Sequence, residues 1–217
     1  MTTAIIGVGN LGGTVARHLV NGGESVVLAA ADEAHAKALA DELGSNASVA
    51  SVEDAIAGAD VVVLAIWLDQ SRELLPQLAE GLENKIVVDP SNPIGFDETG
   101  QMFRTLPEGQ SSGSVVSGLL PANAHYVKAF GSLGAVEQLA TSANREPRVV
   151  LFYATDDDAA EATAQRLIRA AGFEPVKVGG VSDAGRIEGP DGELQGRVLD
   201  LDHARATVAT GRDEWKA

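Results

Sequence analysis

Short unbroken apolar runs alternate along this chain with apolar stripes at helical spacing, and the alternation sets out a series of strands and helices. Ala4, Ile5 and Ile6 form the first run, followed by a glycine-rich turn. Leu11, Val15, Leu19 and Val20 then recur at the period of a helix, which Gly22 and Gly23 stop. Residues 25–28 read as a second strand, and 32–43 as a helix with Ala36, Leu39, Ala40 and Leu43 on its inner face. A short strand is expected over 47–52 and a short helix over 53–58. Residues 61–66 (Val-Val-Val-Leu-Ala-Ile) have the continuous apolar character of a strand buried on both faces. Leu74, Leu75, Leu78 and Leu82 mark the next helix, and residues 85–89 the fifth strand.

The rhythm breaks between Pro90 and Ser114, a turn-rich stretch long for a connection and a candidate lid or substrate wall. It resumes with a helix from Val115 that ends near Pro121, a strand over 125–130 and a short helix over 134–139. A strand over 148–153 and a helix capped by Asp156, Asp157 and Asp158 follow, then a last strand over 174–178. Capping and dipole complementation explain that acid triplet more simply than a metal site does. The expected fold is α/β: a doubly wound, mainly parallel sheet of about eight strands, the Rossmann NAD(P)-binding fold. The domain is expected to span residues 1–181. Residues 182–217, charged and glycine-rich with a helical hint over 199–208, are expected to form a C-terminal extension serving the substrate cleft or a dimer contact.

Composition narrows the function classes. A formal net charge of −15 over 217 residues argues against nucleic acid or an anionic membrane surface as partner; the expected partner is a small-molecule substrate. No apolar run reaches bilayer length, and the first strand begins by residue 4, so the cytoplasm is the expected compartment. With no cysteine there is neither a disulfide framework nor a thiolate metal site, and no metal-ligand spacing stands out. A homodimer is the prior expectation for assembly.

Candidate chemistry centres on Gly7-Val8-Gly9-Asn10-Leu11-Gly12, a G-x-G-x-x-G directly between a strand and a helix. In that context Gly7 makes the tight turn, Gly9 lets a pyrophosphate approach the backbone, and Gly12 lets the helix pack on the sheet. The helix N-terminus at Asn10 and Leu11 faces the phosphates. Asp32, twenty residues after Gly12, stands where an acid binds the adenosine ribose of NAD; it is equally an N-cap for the following helix. No Arg or Lys lies between Arg17 and Lys37, so no phosphate clamp for NADP is visible. Ala65, Ile66 and Trp67, with Pro90, Ser91 and Asn92, are delivered to the nicotinamide end. There Trp67 shields a ring or serves as a core or interface aromatic, and Ser91 and Asn92 bond the carboxamide or shape a turn. His18 and His35 read as solvated helix residues and Lys128 as a salt-bridged surface lysine. His125, at the start of a strand near the cofactor edge, is the one weak candidate catalytic residue.

The residues Ile5 to Gly13 together resemble the opening of the NADP oxidoreductases dependent on the deazaflavin coenzyme F420. So do residues 60–66, Val87-Val88-Asp89-Pro90-Ser91-Asn92-Pro93 and Val127-Lys128-Ala129-Phe130, and the likeness runs in order through the N-terminal two thirds. The resemblance implies hydride transfer between NADP(H) and F420, whose ring lies against the nicotinamide. It implies that Gly9, Asn10 and Leu11 line the pyrophosphate, and it puts Ala30 and Ala31 where relatives carry a Ser-Arg pair for the 2′-phosphate. Ile66 and Trp67 stand at a common Ile-Pro pair, and Phe130-Gly131-Ser132-Leu133 at Phe-Asn-Thr-Leu. NAD(H) as cofactor and another small acceptor stay open. So do a non-catalytic NAD(P)-binding sensor and an imine or carbonyl reductase, the last needing a proton donor such as His125 or Tyr126.

Overall fold

The computed structural model describes residues 1–210. Strands β1 (Thr3–Ile6), β2 (Val26–Ala29), β3 (Ala47–Val49), β4 (Val61–Leu64) and β5 (Ile86–Asp89) alternate with helices α1 (Asn10–Asn21), α2 (Glu33–Leu43), α3 (Val52–Ala57) and α4 (Leu68–Leu82). An antiparallel hairpin follows, β6 (Ile94–Phe96) with β7 (Met102–Arg104). Next come α5 (Ser112–Leu119), β8 (His125–Lys128) and a π-turn over Ala135–Leu139 that runs into α6 (Ala140–Ser142). The described chain closes with β9 (Val150–Ala154), α7 (Asp158–Ala170), β10 (Glu174–Gly179), a 3-10 segment over Val181–Ile187 and α8 (Leu201–Thr210).

The eight-stranded sheet runs β10-β9-β8-β5-β4-β1-β2-β3. The six strands from β8 to β3 are mutually parallel, β9 meets β8 through one antiparallel contact, and β10 lies parallel to β9. The doubly wound α/β fold read from the sequence is therefore the fold observed. Alternation along each strand sends side chains to opposite layers. Ile5, Val63 and Val88 join Val15, Leu19 and Leu39 from α1 and α2 on one face, where Leu167 and Ile168 of α7 also pack. Ala4, Ile6, Val62 and Leu64 join Ile56, Leu75 and Val116 from α3, α4 and α5 on the other. A third cluster pairs Val150, Phe152 and Val178 with Ala184, Ile187, Leu194 and Ala204, so the chain beyond β10 covers the far end of the sheet. At roughly 1.5–3 kcal/mol for each large apolar side chain, these layers supply the main folding drive.

Departures from the predicted elements have local causes. The stretch from Pro90 to Ser114 is not all loop, since β6 and β7 pair across Gly95 and Phe103. Helix α4 begins at Leu68, before the leucine stripe is dense enough to see, with the Trp67 N–H bonded to the Gln70 side chain. Helix α5 begins at Ser112 because the Ser111 hydroxyl accepts the Ser114 N–H, 3.0 Å away. His18 is half-buried rather than solvated: its Nε2 lies 3.0 Å from the Leu139 carbonyl, and its ring meets Phe173 edge-on. Lys128 is 1% exposed, so it is no surface lysine. Residues 211–217 of the expected extension lie outside the described residues. Among the described residues no helix is long and apolar enough to cross a membrane.

Candidate functional site

Strand register sets the site. Ile6 pairs with Ala29 and with Leu64, and Asp89 with Lys128, so β1, β2, β4, β5 and β8 deliver their carboxyl ends to one edge. The strand order reverses between β1 and β4, which is where open α/β sheets bind ligands. Gly7, Ala30, Ala65 and Pro90 are the first residues beyond that edge.

Each glycine of the turn has a separate steric reason. Gly7 holds φ at +93°, a left-handed conformation that other residues rarely adopt, and is pressed against the Ala65 carbonyl. A side chain on Gly12 would overlap the Gly7 carbonyl, so α1 can close on β1 only with glycine there. Gly9 differs: among the described residues no heavy atom lies within 4 Å of where its Cβ would stand. Gly9 is the N-cap of α1 and its backbone accepts the Gly13 N–H at 2.8 Å, yet no side chain caps the helix and no acid sits in its first turn. The exposed backbone of Gly9 and Asn10 thus presents the positive end of a 12-residue helix to an open cradle. These residues fit a pyrophosphate.

The adenosine side is less accommodating. Ala30 is half-buried, Ala31 and Asp32 are exposed, and Asp32 caps α2 by accepting the His35 N–H at 3.1 Å. The N-cap role is thus observed directly. No side chain at Ala30 or Ala31 can bond a 2′-phosphate, so this corner does not fit NADP as it fits a pyrophosphate.

The nicotinamide side is built from several segments. Ala65 and Ile66 are half-buried, and Trp67 is 54% exposed, so it is not a core aromatic. Its ring meets Phe96 of the hairpin edge-on, with centroids 6.4 Å apart. Ser91 and Asn92 are turned to internal tasks. The Ser91 N–H donates to Asp89 at 2.8 Å, and its carbonyl accepts from both Lys128 and Ser112. Asn92 donates from Nδ2 to the Gly131 carbonyl at 3.1 Å and accepts the Gly189 N–H at 2.8 Å. It therefore ties the loop after β5 to the loop after β8 and to the C-terminal segment. Gly131 is packed against the Pro90 carbonyl, leaving no room for the asparagine of the expected Phe-Asn-Thr-Leu pattern.

Behind this wall lies a buried ionic cluster. Lys128 Nζ is 3.0 Å from Asp89 Oδ2, 2.7 Å from Ser112 Oγ and 3.4 Å from Glu188 Oε1. Glu188, 0% exposed, accepts the Ser112 and Gly113 N–H groups at 2.8 Å each and so anchors the start of α5. Tyr126 donates its hydroxyl to Asp89 at 2.7 Å, and burial, followed by the Asp89 charge, pushes its phenol well above the usual range. Sequence reasoning passed over Glu188, which sits between glycines in a charged tail; pattern gives no sign that the tail folds back onto Lys128.

His125 is corrected outright. It pairs with Ile86 at the start of β8, so it lies at the amino edge of the sheet, opposite the glycine turn. There its Nδ1 lies 2.7 Å from Asp157 Oδ2. Asp157 also caps α7 through the Ala160 N–H, and among the described residues no acid or histidine cluster is disposed to hold a metal.

Parallel strand order, glycine turn and uncapped helix together define a Rossmann-type dinucleotide-binding fold. The profile of the family described as NADP oxidoreductase, coenzyme F420-dependent, matches residues 2–93 of this chain. It is 29% identical over 184 residues to the metalloreductase STEAP3 of Rattus norvegicus, covering 85% of this chain and 35% of that relative. This chain thus spans about a third of the length of that curated relative. A structure of a hypothetical protein from Sinorhizobium meliloti superposes with a TM-score of 0.81 at 30% identity, covering 93% of this chain and 96% of that one. One described as an F420-dependent NADP reductase from an Arthrobacter species gives 0.72 at 24% identity, over 84% and 86% of the two chains.

Proposed function

We propose that this protein transfers a hydride between a nicotinamide dinucleotide and a deazaflavin coenzyme or another small acceptor. The observation that carries this reading is the uncapped N-terminus of α1 behind Gly9, at the same carboxyl edge of the sheet as the exposed Trp67 after β4. The dinucleotide, once bound, supplies the hydride chemistry. The chain's own residues do the rest. Gly9, Asn10 and Leu11 hold the pyrophosphate by backbone N–H groups, while Ala65 and Ile66 give the nicotinamide an apolar floor. Trp67 and Phe96 form an aromatic corner against which a flat acceptor ring rests. In net, a deazaflavin acceptor takes the hydride and one proton, and solvent at the exposed corner supplies the proton.

An imine or carbonyl reductase needs a proton donor in the cleft, and neither residue considered for that task favours it. His125 is at the far edge, and the Tyr126 hydroxyl is bonded to Asp89 inside the wall.

The test mixes purified protein with reduced dinucleotide and oxidised F420 and follows loss of the reduced-nicotinamide absorbance. Turnover supports the reading, whereas dinucleotide binding without turnover on any acceptor would make the protein a sensor. Trp67→Ala should raise the acceptor KM about tenfold while leaving the dinucleotide Kd within about twofold, because in this reading the indole packs on the acceptor ring while backbone N–H groups hold the pyrophosphate.

A further inference from the structure

We propose that this chain selects NAD(H) over NADP(H), against the cofactor named by the family profile that matches residues 2–93. The inference rests on the dinucleotide reading above and concerns only the corner beyond β2. A 2′-phosphate brings up to two negative charges and needs a cation or several donors to replace its water shell. The residues that follow β2 are Ala30 and Ala31, which offer a methyl group each, and then Asp32 and Glu33, both exposed carboxylates. At the N-terminus of α2, Asp32 places its own carboxylate on the His35 N–H, so the helix end is already occupied by a negative charge.

The nearest arginine in sequence is paired with a carboxylate, and the nearest lysine lies a helical turn away. Arg17 of α1 forms a two-bond pair with Glu42, at 2.7 and 2.8 Å. Glu42 thus neutralises the guanidinium, whose Nη1 stands beside Gly13 and Leu39. That pairing is strong enough to hold the Arg17 guanidinium above its ordinary range and the Glu42 carboxyl below its own. Lys37 is one helical turn beyond Glu33 and lines a hollow with Asp41, Gly44 and Ser48 toward β3. A 2′-phosphate would therefore face Asp32 and Glu33 unneutralised, in a chain of net charge −15. An unphosphorylated ribose has hydroxyl groups that a carboxylate accepts, and the same corner suits it.

The experiment is calorimetric titration of the full chain with NADH and with NADPH, repeated with ADP-ribose and its 2′-phosphorylated form. NADH should bind at least about tenfold more tightly than NADPH, with the same ratio for the two fragments. Ala31→Arg should raise NADPH affinity about tenfold and leave NADH nearly unchanged, because the guanidinium would meet only the phosphate. NADPH binding as tightly as NADH, or an Ala31→Arg variant with an unaltered ratio, overturns the proposal. Failure of the wild-type chain to bind either dinucleotide would instead remove the reading beneath it, and selection with it.

Discussion

The two walls of the cleft are made of different material. The wall formed by β1, α1 and β2 is backbone: a glycine turn, an uncapped helix end and small side chains within about thirty consecutive residues. The wall behind β5 and β8 is side chain. Asp89, Lys128, Ser112 and Glu188 come from four separate segments and meet in a pocket from which water is excluded. A backbone wall is specified by what must be missing, a Cβ at Gly7, Gly9 or Gly12. A side-chain wall is specified by what must be present and paired. Failure should accordingly differ: loss of binding in the first, with the fold kept where the added Cβ faces only open space, and loss of stability in the second.

The largest effect is expected in the second wall. Lys128→Met removes the one ammonium shared by Asp89 and Glu188 and leaves two buried carboxylates facing each other. Breaking a buried pair in this way costs about 3–5 kcal/mol, visible as a lower urea midpoint with an unchanged m value. Glu188→Gln should cost less, since an amide oxygen still accepts an N–H from the start of α5. Lys128→Met combined with Glu188→Gln should cost less than the sum, because the second change relieves the repulsion that the first creates. Strict additivity would mean that the two side chains do not act as a unit.

Within the backbone wall, Gly9→Ala and Gly12→Ala separate fold from function. The added methyl at Gly9 meets nothing within 4 Å among the described residues, so melting should be unaltered while dinucleotide affinity falls about tenfold or more. The same methyl at Gly12 runs into the Gly7 carbonyl and should cost about 1–3 kcal/mol of stability as well as binding. If Gly9→Ala bound dinucleotide as well as the wild type, the cradle would not be where the pyrophosphate lies.

The difference in material also explains what was legible in the sequence. Glycine spacing, the strand before it and the helix after it are all local, and they located the backbone wall residue by residue. The runs at Val61–Leu64 and Ile86–Asp89 placed the central strands for the same reason. The second wall depends on partners up to 97 residues apart, with Asp89 bonded to the nearby Ser91 N–H but Asn92 to Gly189, and Glu188 far along a tail that has no periodicity. Lys128 in isolation looks like any strand-end lysine. His125 was misplaced because a strand's direction decides which end of it meets the cleft, and β8 enters the sheet at the amino edge. The hairpin of β6 and β7 was hidden by strands of three residues, too short to show alternation.

The smallest effect belongs to the seam between the walls. His18 of α1 reaches Leu139 at the end of the π-turn, and burial pulls its imidazole below the ordinary histidine range despite the bond to that carbonyl. The sign follows from which state binds more protons. Below the unfolded value of about 6.5 the unfolded chain takes up a proton that folded His18 resists, so stability falls as pH drops and levels off below the lowered folded value. Above about 6.5 both states are neutral and the residue contributes no slope. His18→Gln keeps a donor toward Leu139 but cannot titrate. Stability measured by urea unfolding between about pH 5 and 7 should therefore vary less steeply with pH in the variant than in the wild type. The variant should lose little at neutral pH, where the wild-type ring is already uncharged. A wild-type slope that survives the substitution intact would place the pH sensitivity elsewhere and leave His18 a packing residue only.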